Sequence, residues 1–469
     1  MRVAVVGGGL AGLGASLFLA RRGHHVTILE RDGPPPPSAG EAQGWRRRGT
    51  PQAGQSHAFV ARCRRLLAAE APDVLDLLAA AGAGELAVGP PPTIEGPADP
   101  DPELVVLACR RPVFEWALRT AVERQPGVAV RTGSAAAGLV VASPLGGVPV
   151  VAGVGCADGS VVPADVVVDC GGRRSPVGAW LADLGARLPD GEVVPCGIAY
   201  WSQFFERRPG AGRPPLNRGY VGGGSFDRYS CLVFPGDGDT FSVTFGVLPE
   251  DRALRGLSDE RAFAAAARRV PVVAEWMDPG DCRPISDPAG MYGLENRWRP
   301  LVTGGRPAAL GVVAVGDAAC ITNPAHTRGS TLALSSALAA ARAVDEHADP
   351  EALALAVDRD QRADLEPWFH DSVEQDATRL ARWRPGSEPP VPAAGRVTNA
   401  EAAAAAQRDP VVWRSFTRAQ QLLEPAAVLG HADLVERTRA VLRSGWRPPA
   451  LDAPPYDELA AAVAGEPVG

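Results

Sequence analysis

Two short stretches carry residue types from which chemistry can be argued. The first is Gly7-Gly8-Gly9-Leu10-Ala11-Gly12, in which Gly7, Gly9 and Gly12 hold the spacing G-x-G-x-x-G. The second, roughly 300 residues further on, is Gly316-Asp317, which closes the apolar run 310–315. A glycine at a strand end lets a ligand approach the backbone, and an aspartate beside it offers a carboxylate to a hydroxyl. The glycines at 7, 9 and 12 stand between an apolar run at 2–6 and another at 13–20, the order strand, tight turn, helix. In that order the first glycine permits the turn, the second admits a pyrophosphate, and the third lets helix and strand pack closely. The helix amino terminus adds N–H donors and a favourable dipole. Glu30, followed by Arg31, ends a second apolar run at 25–29, where such a unit places a carboxylate on ribose hydroxyls. A pyrophosphate, a ribose and a further polyol together describe FAD.

Composition narrows the remaining chemistry. The chain has 469 residues, enough for two or three domains, and a net charge of −7, which argues against a nucleic-acid partner. No lysine occurs, so all 47 basic residues are arginine. A lysine Schiff base and a Walker lysine are thereby excluded. The eight cysteines are scattered, with no C-x-x-C and no metal-like pairing with histidine. They read as buried small hydrophobes, no metal site is expected, and a reducing cytoplasmic setting fits. No run is long enough to span a bilayer, and the amino-terminal apolar stretch lacks a cleavage pattern.

The elements that must position these residues alternate in type. Helices are predicted at 60–81 and 112–123, and strands at 128–131, 136–141, 150–156 and 161–169. The segment 32–56, with Pro34 to Pro37 and three arginines at 46–48, is a long loop of the kind that carries function. A Pro-rich surface loop is expected at 88–103. From 191 to 248 the pattern turns to aromatic and β-branched runs separated by Gly and Pro, which predicts an antiparallel sheet, and a helix is predicted at 258–270. The strand at 310–315 and a helix at 331–344 return the chain to the first unit. The fold class is therefore α/β. We expect a discontinuous Rossmann-like FAD-binding domain (1–190 and 291–347), an inserted antiparallel-sheet substrate domain (191–290) and a helical carboxyl-terminal region (348–469). Pro-rich stretches at 384–393 and 447–455 break that last region, and the final dozen residues are open to disorder.

With these residues in hand, the chain resembles the FAD-dependent monooxygenases of the para-hydroxybenzoate hydroxylase class. Within it, the chain is most similar to a bacterial branch related to squalene-type and polyether epoxidases. The likeness rests on Arg48-Gly-Thr-Pro-Gln52 with His57, Arg111-Pro-Val-Phe-Glu115 with Leu118-Arg119, 165–169 with Ser175, and 316–329. It implies that Asp317 holds the ribityl chain, that Arg111 lies near the FAD phosphates, that Arg48 lies near the flavin ring, and that the loop from Pro324 to Gly329 lines the isoalloxazine. The family loop reads P-x-x-G-Q-G-x-N, and here Thr327, Arg328 and Thr331 depart from it. The family's Asp-Gly motif after the 166–168 strand is also missing, with Gly171 at the Asp position and Gly178 at a later Arg position. Self-reduction by bound NADH or NADPH is therefore open, and a separate flavin reductase is an alternative electron source.

The implied reaction captures O2 at C4a of the reduced flavin and transfers the distal oxygen of the hydroperoxide to a small-molecule substrate, a natural-product intermediate. Epoxidation needs only an electron-rich alkene held close, whereas aromatic hydroxylation benefits from a group that deprotonates a phenol. No catalytic residue is assigned. His57 and His326 are the histidines in loops expected near the flavin, and His326 is the better candidate for acid or base. Tyr200, Trp201 and Phe204 are substrate-pocket candidates from the inserted sheet, although alternation turns only half of such a run to one face, and core packing is their other reading. A flavin-dependent halogenase would need its lysine and a W-x-W-x-I-P segment, and neither is present. An FAD-linked dehydrogenase or double-bond reductase and a non-catalytic flavin-binding protein are the alternatives.

Overall fold

Five parallel strands form the sheet on which the site is built, in the order Val312–Ala314, Val166–Asp169, Arg2–Val6, His25–Glu30, Val128–Thr132. The computed structural model describes residues 1–94, 100–388, 390–391 and 395–465. These strands are valine-rich and mostly buried, as a parallel sheet covered on both faces requires. One face is covered by helices Leu10–Arg21 and Gly329–Glu346. They approach so closely that a Cβ at Gly14 would lie 2.6 Å from Leu334 Cδ2. The other face packs on a three-stranded antiparallel sheet, Ala136–Leu145, Val148–Cys156 and Val161–Pro163.

The single strand expected at 161–169 is thus two strands in two sheets, parted at Ala164-Asp165, where Asp165 accepts a hydrogen bond from the Arg2 amide at 2.7 Å. The helix expected at 60–81 is likewise two, Ala61–Glu70 and Pro72–Ala80. Pro72 has no N–H and holds Ala71 at φ −150°, which ends the first helix and starts the second. The helix expected at 258–270 runs Glu260–Ala267, because the Asp259 side chain accepts from the amides of Arg261 and Ala262 and caps it there.

The second large sheet is antiparallel, in the order Gly222–Ser225, Ser230–Pro235, Thr240–Val247, Ala199–Arg207, Cys282–Pro284, with Ala289–Met291 also pairing to Ala199–Arg207. One of its faces buries Phe205, Phe241 and Phe245 against Phe263, Trp276 and Leu459. Leu459 belongs to the terminal helix Tyr456–Ala464, so most of the final dozen residues are ordered, while 466–469 lie outside the described residues. Residues 95–99 of the expected loop at 88–103, and 389 and 392–393 of the Pro-rich stretch at 384–393, also lie outside them. A small sheet of Glu192–Pro195, Glu295–Trp298 and Cys320–Ile321 sets the two ends of the segment between 195 and 295 side by side. Helices Pro350–Asp364, Glu366–Trp383, Asn399–Ala405, Pro410–Gln420 and Ala432–Arg443 follow. Among the described residues no helix is long and apolar enough to cross a membrane, and no cluster of potential metal ligands occurs.

Candidate functional site

The glycine turn after Arg2–Val6 leaves no room for side chains. Gly7 has φ +104°, and a Cβ there would lie 2.5 Å from the Cys170 carbonyl oxygen. A Cβ at Gly12 would lie 1.9 Å from the Gly7 carbonyl oxygen, so the turn and the first helical turn are in backbone contact. Gly9 is the N-cap of Leu10–Arg21 and no side chain caps that helix, which leaves its amino terminus to a ligand. Glu30 is buried at the end of its strand and accepts from the Gly8 amide at 2.9 Å and the Asp32 amide at 2.8 Å. A carboxylate has about four lone-pair sites, so capacity remains for ribose hydroxyls. Gly7, Gly9, Gly12 and Glu30 therefore stand in one corner, with the Gly8 amide donating to Glu30.

Gly316 has φ +63°, and a Cβ there would lie 2.8 Å from Ala11 Cβ and 3.2 Å from Ala333 Cβ. Its neighbour Asp317 is half-buried; burial pushes its carboxyl up, while Arg111, Arg299 and Arg173 pull it down. Arg111 opens helix Arg111–Arg124, donating from Nε to Glu115 at 3.0 Å and from Nη1 to Nε2 of His57 at 3.2 Å. Burial holds its guanidinium down to about 10, against the pull of Asp317. His57 Nδ1 donates to the Gln55 carbonyl at 2.9 Å. Burial and the Arg111 charge depress this imidazole to about 3, so it is neutral and both ring nitrogens are occupied.

The long loop separates its three arginines. Arg48 and Arg31 are exposed, and it is Arg47 that is buried. Arg47 donates to the Gly8 carbonyl at 3.1 Å, stacks 4.2 Å above Trp45, and pairs with Glu115, which is 1% exposed. Burial lowers the Arg47 guanidinium to about 10. Sequence spacing does not separate three consecutive arginines; only the buried carboxylate one helical turn into Arg111–Arg124 does.

Alternation along Ala199–Arg207 sorts the pocket candidates. Tyr200, Ser202 and Phe204 share the face turned to the glycine-lined domain, whereas Trp201 lies on the other face, edge-on to Tyr292 at 5.6 Å and against the sheet's outer core. Trp201 is therefore corrected from pocket to core. The inward face is hydroxylic. Ser56 Oγ donates to Ser242 Oγ at 2.7 Å and lies 2.5 Å from Thr244 Oγ1, and Ser202 donates to Gln55 Oε1 at 2.8 Å. Ser56 and Thr244 remain half-exposed.

The turn Pro324–His326 joins that face to the helical region. Asn323 caps the turn, accepts from the Tyr200 hydroxyl at 2.7 Å, and donates to Asp376 at 2.5 Å. Pro324 is exposed, and His326 Nε2 stands 3.8 Å from Asp376. Thr327 occupies the left-handed region at φ 56°, a strained place for a β-branched residue. Arg328 is fully buried, paired with Asp371, donating to Gln420 at 3.0 Å and lying 4.4 Å over Trp368. It points away from Asp317 into the helical region. Gly329 opens helix Gly329–Glu346, and nothing lies within 4 Å of a Cβ built on it. At the other departure, Asp169 accepts from the Gly171 amide at 2.9 Å and from Ser175 at 2.7 Å. A Cβ at Gly171 would meet both partners at 3.1 Å, so an aspartate is accommodated only if they shift.

Residues 2–87 match the model of the family described as DAO, FAD dependent oxidoreductase. The chain is 27% identical over 355 residues to Protein Rv3254 of Mycobacterium tuberculosis, covering 70% of this chain and 69% of that protein. It is similar to the structure of PqsL, a probable FAD-dependent monooxygenase from Pseudomonas aeruginosa, with TM-score 0.57, 17% identity, and coverage of 82% of this chain and 96% of that one. It is also similar to the flavin-dependent brominase Bmp2, with TM-score 0.61, 14% identity, and coverage of 95% and 99%. The structural likenesses are of fold. The amino-terminal match falls on the glycine turn and Glu30 described above, so residues 2–87 carry the features of an FAD-dependent oxidoreductase.

Proposed function

We propose that the enzyme is an FAD-dependent monooxygenase that epoxidises or hydroxylates a natural-product intermediate. The observation that carries this reading is the sheet face that meets Gln55 and Ser56, next to His57. It offers hydroxyls (Ser202, Ser242, Thr244) and aromatic or aliphatic groups (Tyr200, Phe204, Leu232), and the histidine beside its hydroxyls, His57, is held neutral with both nitrogens engaged. Such a wall positions and shields a neutral substrate and supplies no base to remove a proton from it. Oxygen transfer to an electron-rich carbon needs positioning and exclusion of water, whereas dehydrogenation next to a carbonyl needs a base. FAD, when bound, supplies reduction and activation of O2.

The chain's own residues have these roles in the proposal. Gly7, Gly9 and Gly12 admit the pyrophosphate to the helix amino terminus, and Glu30 accepts from the ribose. Arg111, neutralised in part by Glu115, brings positive charge toward the phosphates, and Asp317 accepts from the ribityl chain. Arg47 ties the long loop to Gly8 and Glu115 and so closes the corner. Pro324 and Gly329 shape the turn beside the ring. The absence of lysine removes the residue on which flavin-dependent halogenases rely, which weighs against bromination or chlorination. With Gly171 where the resemblance expects an Asp, a separate flavin reductase stands beside NADH or NADPH as the electron source.

The test is to purify the protein, identify the released flavin, and follow NADH and NADPH oxidation and O2 uptake with and without polyene and aromatic substrates. A reductase added in a second arm separates the two electron sources. Substrate-stimulated O2 uptake is expected; turnover of substrate without O2 uptake would replace this reading with a dehydrogenase or double-bond reductase.

A further inference from the structure

The turn Pro324–His326 sets a histidine against a carboxylate that oxygen transfer does not require. His326 Nε2 is buried, makes no hydrogen bond, and stands 3.8 Å from Oδ1 of Asp376 on helix Glu366–Trp383. A buried ring nitrogen without a partner calls for an explanation in a native fold. Asp376 is well supplied with donors, accepting from Asn296 at 2.8 Å, Asn323 at 2.5 Å and Arg379 at 3.1 Å. Burial raises this carboxyl, but its contacts with His326, Arg379 and Asn296 hold it below its ordinary range, so it is an anion.

The other charged and titratable groups around the turn are committed elsewhere. Arg328 is paired with Asp371, and Arg379 donates to the Cys196 and Gly197 carbonyls as well as to Asp376. From the inserted sheet, Tyr200 donates to Asn323, and burial pushes both its phenol and the Cys196 thiol up, so neither carries charge. Asp376 is the anion in closest reach of His326, and Asp371, paired with Arg328, is a second that feels it. Past Asp317 the chain runs through Cys320–Ile321 into this turn and on to the amino end of helix Gly329–Glu346. On the FAD reading, the ring of a flavin held at Asp317 would face that turn, where the helix dipole favours negative charge.

We propose that His326, held by Asp376, is the site that takes up a proton when the flavin is reduced and releases it on reoxidation. The inference rests on the FAD reading of the same site. FAD, when bound, would on taking up two electrons and one proton carry a negative charge. A second proton, taken from solvent by His326 Nδ1 or Nε2, balances that charge, so reduction consumes two electrons and two protons. The electrons come from the reductant and the protons from water. His326 acts on the charge state of the ring and Asp376 is a positioning residue.

The test is the potential of the FAD-loaded enzyme at equilibrium with redox dyes, from about pH 5 to about pH 9. The wild type is expected to show a pH window in which two protons accompany two electrons. In His326→Gln and in Asp376→Asn that window is expected to collapse to one proton. His326→Arg, with its permanent charge, is expected to keep the raised potential without the window. A one-proton slope across the whole range in the wild type overturns the proposal whether or not the variants fold, and so does a window unchanged in His326→Gln. A protein that holds no FAD would instead refute the function proposed above.

Discussion

Arg111 donates from Nη1 to Nε2 of His57 across 3.2 Å, and this contact fixes the histidine's tautomer. With Nε2 accepting, the ring proton is on Nδ1 and is spent on the Gln55 carbonyl. A protonated His57 would have to break the Arg111 bond and face its charge, which is why the imidazole is held down to about 3.

The first prediction is the acid sensitivity this creates. The folded His57 is depressed below the unfolded value of about 6.5, so below that pH the unfolded chain takes up a proton that the folded one refuses. Stability is lost as pH falls from about 6.5 toward 3. Chemical denaturation of wild type and His57→Gln between pH 7 and pH 4 should show the variant's stability falling less steeply, by one proton. Parallel pH dependences would remove His57 from this role.

Arg47 and Arg48 should part sharply on substitution. Arg47→Ala leaves the buried Glu115 with Arg111 alone, and breaking a buried pair costs about 3–5 kcal/mol. Arg48→Ala changes an exposed side chain and should stay within about 0.5 kcal/mol. Denaturation midpoints of the two variants decide this, and equal effects would contradict the placement of Arg47.

Thr327 sits in the left-handed region at φ 56°, where glycine carries no steric penalty. Thr327→Gly should therefore be neutral or stabilise by up to about 1 kcal/mol, despite glycine's entropy cost and the lost Thr327 Oγ1 bond to the His326 carbonyl. A destabilisation of about 2 kcal/mol in urea unfolding would mean that hydroxyl outweighs the strain.

Asp317→Ala should weaken FAD retention. A hydrogen bond to a charged group contributes about 1.5–3 kcal/mol, roughly ten- to hundred-fold in Kd. Flavin released from equal amounts of wild type and variant, together with FAD titration of the stripped proteins, measures it. Unchanged affinity would remove Asp317 from the cofactor contact.

Much of the fold was legible because it rests on local signals. The glycine turn, the Glu30 strand end and the aromatic β-branched run after 191 each follow from residue type at short range. What was not legible depends on contacts distant in sequence. Arg47 is distinguished from Arg46 and Arg48 only by Glu115, in a helix that folds back over the loop. Asp376 lies 50 residues beyond His326 on a helix with nothing in its own sequence to mark it. Trp201 and Tyr200 differ by one step of the pleat, and which face is inward is set by packing against Phe263 and Trp276. Asn323 alone had a usable signal, as an Asn before Pro at a helix start.

The measurement that tests the central claim most directly is O2 uptake by the FAD-loaded enzyme under 18O2, with a reductant and with polyene and aromatic substrates in turn. The account predicts bound FAD, substrate-stimulated O2 uptake and one labelled oxygen atom in the product. A colourless protein that takes up no FAD on reconstitution, or a product free of label formed without O2 consumption, would contradict it.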